Sequence, residues 1–308
     1  SGISNAAEIG SGESHSCARL DNGSVNCWGQ ASSVGIDANS DQVSPVTVDN
    51  ISTASEISVG QNHTCARRSN GTVKCWGYGN YGKLGNGSTS NSKTPVVVSG
   101  ITTAQHVGVG YESSCAVLSD KTVKCWGRNN LKQLGDGTTT DRSTPVTVSG
   151  VSNASMVSLS REWNRVFSCA LLENGSVQCW GRKDNGLLGD GKLGYIASPV
   201  SVSGLSSASQ GDASNHTCVV EGGAVKCWGD NYYGQLGDGT YTDRSPPVTV
   251  SGITATKVAT GRHSCAILSD KTVKCWGRNQ YGQLGDGTTI DRSTPVSVTG
   301  ISTATQIS

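Results

Sequence analysis

Twelve cysteines are the residues of this sequence best suited to covalent or metal-binding chemistry, and they occur in six close pairs. A turn-forming string such as Asp21-Asn22-Gly23 separates the members of a pair, which is typical of a β-hairpin. Opposed residues at a non-hydrogen-bonded site of a hairpin have Cα atoms about 4.5 Å apart, within reach of a disulfide. The sequence therefore predicts six disulfides, which join Cys17 to Cys27, Cys65 to Cys75, Cys115 to Cys125, Cys169 to Cys179, Cys218 to Cys227 and Cys265 to Cys275.

One pair tests this interpretation because its spacing differs. Five pairs are ten residues apart, whereas Cys218 and Cys227 are nine residues apart. The shorter pair encloses a two-residue turn, Gly222-Gly223, in place of a three-residue turn, so its cysteines remain opposed. Zinc is the alternative, but a zinc site needs four ligands at one place and these cysteines form isolated pairs. Disulfides predict an oxidising location, either extracellular or on the cell surface, with the periplasm as an alternative.

Histidines and aspartates recur at equivalent positions and are candidate metal ligands. The four histidines that precede a cysteine pair could form a metal cluster, but we favour a repeated hydrogen bond to neighbouring backbone. Aspartates in Gly-rich loops could bind calcium, but each loop has few carboxylates, so we favour side chains that cap their own turn. No metal or other cofactor is therefore expected. The residues concerned are His15, His63, His216, His263, Asp136, Asp190, Asp238 and Asp286.

The same aspartates could in principle supply the acid and base of a glycosidase. Their repetition around the chain argues against that chemistry, because an active site is usually singular. The sequence also lacks a Ser-His-Asp, metal or phosphate-loop arrangement in a suitable setting. We therefore do not expect an enzyme.

Departures from the repeat indicate where a partner could bind. The fourth unit contains four extra residues, which bring Trp and Arg, the residue types that dominate binding hot spots, into a loop. An insertion packed against its own blade is the open alternative, and for Tyr81, Tyr233 and Tyr281 we favour packing between blades. The predicted binding residues are Arg161, Trp163, Arg165, Phe167, Tyr195, Tyr111 and Tyr241.

The elements that position these residues follow from a repeat. The string C-W-G occurs six times, at intervals of 48 to 54 residues, and such a period is typical of propellers and solenoids. Each unit contains four short strands separated by turn residues, and no helix is predicted. The sequence predicts an all-β fold, a six-bladed β-propeller with four antiparallel strands per blade, in one domain spanning residues 1–308.

The two ends of the chain bear on how the ring closes. Residues 2–9 and 300–307 share the same phase of the repeat. One terminal strand could complete the blade at the other end and cover exposed strand edges, so we expect a ring closed in this way. A seven-bladed or truncated ring is the alternative. Because the chain begins at Ser1, we also expect a mature product or a piece of a longer surface protein.

The motif set H-[ST]-C-A, G-x-V-x-C-W-G and Y-G-Q-L-G-D-G resembles the regulator of chromosome condensation repeat family over essentially the whole chain. The resemblance implies a β-propeller, with seven blades in the familiar eukaryotic member. It also implies roles in nucleotide exchange, in protein interaction or, in one secreted bacterial case, in β-lactamase inhibition. The paired cysteines and the lack of a basic tail make this chain similar to the secreted or surface-exposed bacterial branch.

Composition limits the partners. The formal net charge is +1 and charged residues make up 15%, without the clustered Lys and Arg that nucleic-acid binding needs. A nucleic-acid partner is therefore not expected. No apolar run approaches the length of a membrane span, so direct membrane insertion is not expected either. We expect a binding module for protein recognition or adhesion, whose partner is a protein or glycan on another surface. A carbohydrate-binding propeller and a secreted enzyme inhibitor are the alternatives.

Overall fold

Turn residues between the paired cysteines fold each repeat around a central hairpin, and one further strand flanks that hairpin on each side. The computed structural model describes residues 3–192 and 195–307, without the side chains of residues 195 and 197. It contains six four-stranded sheets, and the strands of each follow one another in sequence. The prediction of an all-β, six-bladed propeller with four antiparallel strands per blade is confirmed.

Each of the first three blades contains four strands in chain order. Blade 1 contains β1 (Ala6–Ser11), β2 (His15–Leu20), β3 (Val25–Gly29) and β4 (Gln42–Thr47). Blade 2 contains β5 (Ala54–Val59), β6 (His63–Arg68), β7 (Val73–Gly77) and β8 (Ser92–Val97). Blade 3 contains β9 (Ala104–Val109), β10 (Ser113–Leu118), β11 (Val123–Gly127) and β12 (Arg142–Thr147).

The remaining blades repeat this order. Blade 4 contains β13 (Ala154–Leu159), β14 (Phe167–Leu172), β15 (Val177–Arg182) and β16 (Tyr195–Ser201). Blade 5 contains β17 (Ala208–Ala213), β18 (His216–Glu221), β19 (Ala224–Gly229) and β20 (Arg244–Thr249). Blade 6 contains β21 (Ala255–Thr260), β22 (His263–Leu268), β23 (Val273–Gly277) and β24 (Arg292–Ser297).

Helical structure is minimal. Among the described residues there are two single 3-10 turns, at Asn80–Gly82 and Asp184–Gly186. None of the described residues forms a helix that is long and apolar enough to cross a membrane.

The cysteines of each pair face each other on the second and third strands of a blade, and all six predicted disulfides are formed. In the nine-residue pair, Glu221 lies opposite Ala224, which leaves Gly222 and Gly223 as the two turn residues. Both glycines have positive φ, at 58° and 85°, as a two-residue hairpin turn of this type requires. The altered turn therefore compensates for the altered spacing, as the sequence predicts.

The core lies between successive blades. The C-W-G tryptophan of one blade packs against a glycine in the loop of the preceding blade, and its indole N–H donates to a carbonyl oxygen of that loop. Trp126 Nε1 lies 3.0 Å from Lys83 O, and a Cβ on Gly85 would come within 2.7 Å of the same nitrogen. Glycine is therefore required at that position. Equivalent bonds join Trp76 to Ser33, Trp180 to Gln133, Trp228 to Leu187 and Trp276 to Gln235.

The recurring histidines also join neighbouring blades. His63 Nε2 lies 2.8 Å from Ser114 Oγ in the next blade, and His15 is paired in the same way with Thr64 at 2.7 Å. The sequence predicts a hydrogen bond from each histidine to neighbouring backbone. That prediction is wrong about the partner, which is a hydroxyl side chain. Burial lowers the pKa of His15 to about 4 and that of His216 to about 3.

These buried histidines predict acid sensitivity. They stay neutral in the fold, whereas the unfolded chain binds protons near pH 6.5, so stability is lost as the pH falls below 6.5. For His216 the loss by pH 4 is on the order of 3 kcal/mol. Denaturant unfolding of the wild type and of His216→Gln between pH 7 and 4 measures it. The variant is expected to lose less stability over this range, and an equal loss in both proteins would contradict the assignment.

The sequence predicts that one terminal strand completes the blade at the other end of the chain. This does not occur in the described residues, because the four strands of every blade follow one another in sequence. Residues 301–307 instead pack on blade 6. Ala304 N donates to Lys271 O at 3.0 Å, and Lys257 Nζ donates to Thr305 O at 2.9 Å. The segment thus takes the place that a first strand of a following blade would have, and the expectation of closure by a terminal strand is corrected.

Candidate functional site

The four extra residues of the fourth unit extend the loop between β13 and β14, and this loop reaches blade 6. Glu162 accepts two hydrogen bonds from Arg262, with Nε–Oε1 and Nη2–Oε2 distances of 3.1 Å. The Glu162 carboxylate raises the pKa of the Arg262 guanidinium. A two-point contact of this kind fixes orientation as well as distance. The contact between Glu162 and Arg262 therefore holds the inserted loop of blade 4 to blade 6, two positions further along.

Arg165 holds the other end of the insertion, the end that leads into β14. Its guanidinium donates to Asp230 Oδ1 at 3.0 Å and to Asn185 Oδ1 at 3.3 Å. Asp230 is buried, and this burial raises the pKa of its carboxyl although Arg165 acts in the opposite direction. A charged pair with little solvent and additional hydrogen bonds is costly to break. The loop is therefore fixed at both ends.

Between these two contacts the insertion displays Trp163, which is 65% exposed. Arg161 and Trp163 border a cavity of about 580 Å³, together with Glu162, Arg262 and Gly12. The cavity includes residues of blades 1, 2, 5 and 6, so it lies where the inner ends of several blades meet. Trp163 therefore exposes a large apolar side chain at the edge of a concave surface.

A second groove, of about 660 Å³, shares Glu162 and Arg262 with this cavity. Tyr232 and Tyr241 border it and are 73% and 56% exposed. The Tyr232 ring packs edge-on against Tyr233, with ring centroids 4.9 Å apart. We call Arg161, Trp163, Tyr232, Tyr241 and Arg262 the insertion face, because each of them borders one of these two cavities beside the inserted loop.

Comparison with known proteins adds family and fold. Sequence profiles described as regulator of chromosome condensation (RCC1) repeats match residues 70–117, 122–162, 222–268 and 272–308, and a second profile of that description matches 6–35, 54–83, 104–133 and 258–283. The chain belongs to the RCC1 repeat family. No curated protein sequence matches it.

Solved structures of similar fold include human WBSCR16, with a TM-score of 0.84 at 20% identity, covering 96% of this chain and 82% of that one. Prp20p from Saccharomyces cerevisiae, in a study of its binding to Gsp1p and histones, gives 0.83 at 17% identity and covers 95% and 76%. Yeast RCC1 (Prp20) bound to Kap60 gives 0.80 at 18% identity, with 95% and 74% covered. At these identities the likeness shows the RCC1 propeller fold alone.

The structure separates the binding residues that the sequence predicts. Arg161, Trp163 and Tyr241 lie on the insertion face, and Arg165 lies beneath it as an anchor. Phe167 is 1% exposed and packs in the core, which removes it from the residues a partner can reach. The fourth unit is thus partly packed against its own blade, as the alternative interpretation held.

Two other predicted residues lie elsewhere. Tyr111 is half-buried on blade 3, where its N–H donates to Ser160 O at the start of the insertion, and it borders neither cavity. Burial raises the pKa of its phenol, with Glu112 adding to the effect. The backbone of Tyr195 begins β16, and its side chain lies outside the described residues.

The binding residues predicted from the sequence do not include Arg262, Glu162 or Tyr232. Arg262 follows Gly261 directly before a histidine, where the second unit has Gln61 and Asn62. That departure from the repeat was a usable signal, but its partner lies 100 residues away in sequence. Only the folded ring brings the two together.

The aspartates of the Gly-rich loops accept hydrogen bonds from groups of their own loops. Asp136 accepts from the Thr138 N–H at 2.9 Å, from Asn129 Nδ2 at 2.9 Å and from Arg142 Nε at 3.0 Å. Asp238 and Asp286 have the same set of partners. The carboxylates therefore cap their loops, as the sequence interpretation favoured. No group of three metal-ligating side chains occurs within residues 3–192 and 195–307.

Proposed function

We propose that this protein is an extracellular or cell-surface binding module that recognises another protein through its insertion face. The observation that carries the proposal is an exposed Trp163 on a loop held at both ends by charged pairs. Association loses free energy when mobile loops become ordered, so a loop fixed in advance binds with a smaller entropic cost. Exposed Trp, Tyr and Arg are the residue types that contribute most at interfaces.

The compartment is supported by the disulfides. Six bridges within one chain are typical of proteins in oxidising environments, and the described residues contain no free cysteine. Prp20p, which binds Gsp1p and histones, and yeast RCC1 (Prp20) bound to Kap60 are structurally similar proteins with protein partners, which supports a protein partner for this chain. Adhesion is the form of recognition that we propose for a surface protein.

A glycan partner is the second candidate, and the groove beside Tyr232 supports it. Asn185, Asn215 and Asp243 border that groove together with Tyr232 and Tyr241. Aromatic rings beside a few convergent polar groups are the usual composition of a small-molecule site. Competition by glycans distinguishes the two candidates, because sugars would displace a glycan partner and leave a protein partner bound.

The test replaces Trp163 by Ala and measures partner binding in extracellular and cell-surface fractions. Loss of a hot-spot Trp costs about 2 kcal/mol or more, so the apparent affinity is expected to fall about 30-fold. The matched control is Val97→Ala, which removes an exposed apolar side chain from β8 on a different surface. Equal binding by Trp163→Ala, Val97→Ala and wild type, with unchanged circular dichroism, would contradict the proposed face.

A further inference from the structure

Three blades carry an arginine two residues after the C-W-G tryptophan, and two of these arginines have a carboxylate partner. Arg128 of blade 3 pairs with Glu112, and Arg182 of blade 4 donates to Asp184 at 2.7 Å. Arg278 of blade 6 is half-buried and forms no ion pair with a described residue, and its Nε is buried without a hydrogen-bond partner among them. A charged group that leaves water normally gains a partner, so this guanidinium is an exception.

Blade 3 shows what the complete arrangement contains. The backbone N–H of Arg128 donates to the Glu112 carbonyl at 2.9 Å, and its guanidinium donates to the Glu112 carboxylate. Tyr81, from the loop of blade 2, lies against the same guanidinium, with 4.6 Å between its ring centroid and Cζ. The arginine of blade 3 therefore has both a carboxylate and an aromatic ring as partners.

Blade 6 repeats this arrangement except for the carboxylate. The backbone N–H of Arg278 donates to the Arg262 carbonyl at 3.2 Å, which places Arg262 at the position that Glu112 has in blade 3. Tyr233 of blade 5 takes the place of Tyr81, with its ring centroid 5.1 Å from the Arg278 guanidinium carbon. The acidic residue of blade 3 is thus replaced by a second basic residue in blade 6.

Tyr281 adds a second ring beside Arg278. Its ring centroid lies 5.6 Å from the guanidinium carbon, within the same blade, and the residue is 80% exposed. The corresponding contacts of Tyr81 and Tyr233 cross an interface between blades, as the sequence interpretation favoured for this position. Two rings stabilise the cation, but a ring face carries only partial negative charge, so the arginine still lacks an anion.

Neighbouring acids of the chain are already engaged. Both oxygens of Glu162 accept from Arg262, which therefore extends toward the insertion. Asp291 accepts from the Asn279 backbone N–H at 2.6 Å. The equivalent aspartate of blade 3 makes the same bond, and that blade contains its glutamate in addition. An aspartate at this position therefore does not replace the missing carboxylate.

We propose that Arg278, flanked by Tyr233 and Tyr281, binds a carboxylate of the partner protein, an aspartate or glutamate side chain that takes the place of Glu112. The source of this carboxylate rests on the proposed function, in which a protein binds the insertion face. Arg262 belongs to that face, and Tyr233 borders its second groove, so the two sites are continuous. A guanidinium binds a carboxylate through two parallel hydrogen bonds, which gives specificity as well as affinity.

The repeat favours a carboxylate over another oxyanion. The equivalent arginines of blades 3 and 4 both donate to carboxylates, so this position of the repeat is suited to that group. Arginine beside tyrosine is also a usual composition of binding hot spots between proteins. Sulfate groups, as on a sulfated glycan, are the competing oxyanion that the test has to distinguish.

The test uses nuclear magnetic resonance of the 308-residue chain, because each arginine Nε–H gives its own signal. The probe is capped hexaglutamate, compared with capped hexaglutamine and with sodium sulfate. Hexaglutamate is expected to shift the Arg278 signal to saturation and to leave the signal of Arg128, which has its own acid, unchanged. Hexaglutamine is expected to bind at least about tenfold more weakly, because hydrogen bonds to charged groups contribute more than those between neutral groups.

Glu112→Gln is the matched variant that should gain a site. It removes the acid from blade 3 and keeps Tyr81 and Arg128, so the Arg128 signal is expected to respond to hexaglutamate as the Arg278 signal does. Arg262→Glu makes the opposite change and is expected to abolish the response of Arg278. The variant Arg278→Lys assigns the signal by its loss, and circular dichroism checks that each variant is folded.

An Arg278 signal that hexaglutamate does not shift, or shifts no more than the Arg128 signal, would overturn the proposal. An Arg128 signal that stays unresponsive in folded Glu112→Gln would also contradict it. A larger response to sulfate than to hexaglutamate would overturn the choice of a protein carboxylate. These results are separable from the test of the insertion face, because the peptide experiment does not depend on partner binding by Trp163→Ala.

Discussion

Reduction of the six disulfides is expected to unfold this protein at neutral pH. Each bridge closes a loop of about ten residues, which contributes about 2–3 kcal/mol by limiting the unfolded chain. The bridges lie in separate blades, so their contributions add approximately. Their sum of more than 10 kcal/mol is comparable to the whole stability of an ordinary domain, about 5–15 kcal/mol. Far-ultraviolet circular dichroism during titration with a phosphine reductant measures the transition.

A single bridge provides the matched comparison. The double variant Cys115→Ala/Cys125→Ala is expected to stay folded and to lose about 2–3 kcal/mol in denaturant unfolding. Both cysteines are fully buried, so alanine also leaves a small cavity. A fully reduced chain that keeps its circular dichroism and thermal midpoint would show that the bridges are unnecessary for the fold.

Replacement of Trp126 by Ala is expected to destabilise the protein by about 3–5 kcal/mol, the usual cost of deleting a buried tryptophan. The variant loses the bond to the Lys83 carbonyl and empties the interface between blades 2 and 3. Trp28→Ala removes the same residue type from the same motif, but from a half-buried position where no carbonyl of the described residues accepts from the indole. This substitution is expected to lower the free energy of unfolding by about 1 kcal/mol or less, because a half-buried side chain loses less apolar burial and leaves a smaller cavity.

Chemical denaturation of both variants gives the two free energies. A loss of similar size in Trp28→Ala would contradict the half-buried position of Trp28, because its side chain would then be enclosed by a neighbouring blade. A small loss in Trp126→Ala would instead contradict the packing of the interfaces.

The hairpin geometry was predictable because it depends on local chemistry. Strand residues alternate in side-chain direction, and the turn length sets which residues face each other. The Gly222-Gly223 turn shows this, since one deleted turn residue preserves the opposition of Cys218 and Cys227. The recurrence of C-W-G similarly identified the blades, because each tryptophan completes the same interface.

The site and the ring closure depend on distant parts of the chain and were only partly predictable. Trp163 was recognisable as a departure from the repeat, but its support comes from Arg262, whose position relative to Glu162 is set by two intervening blade interfaces. Phe167 shares the same inserted stretch and turns into the core instead. The placement of residues 301–307 depends on whether a terminal strand pairs in a sheet or packs on a neighbour, which periodicity alone does not decide.

Disulfide mapping of protein taken from its native location tests the central claim most directly. Thiols are alkylated before lysis, and peptides are then analysed without reduction. Six cross-linked peptide pairs are expected, one within each blade, with Cys218 joined to Cys227 and no alkylated cysteine. Twelve alkylated thiols, or bridges between different blades, would contradict both the proposed compartment and the arrangement of the repeats.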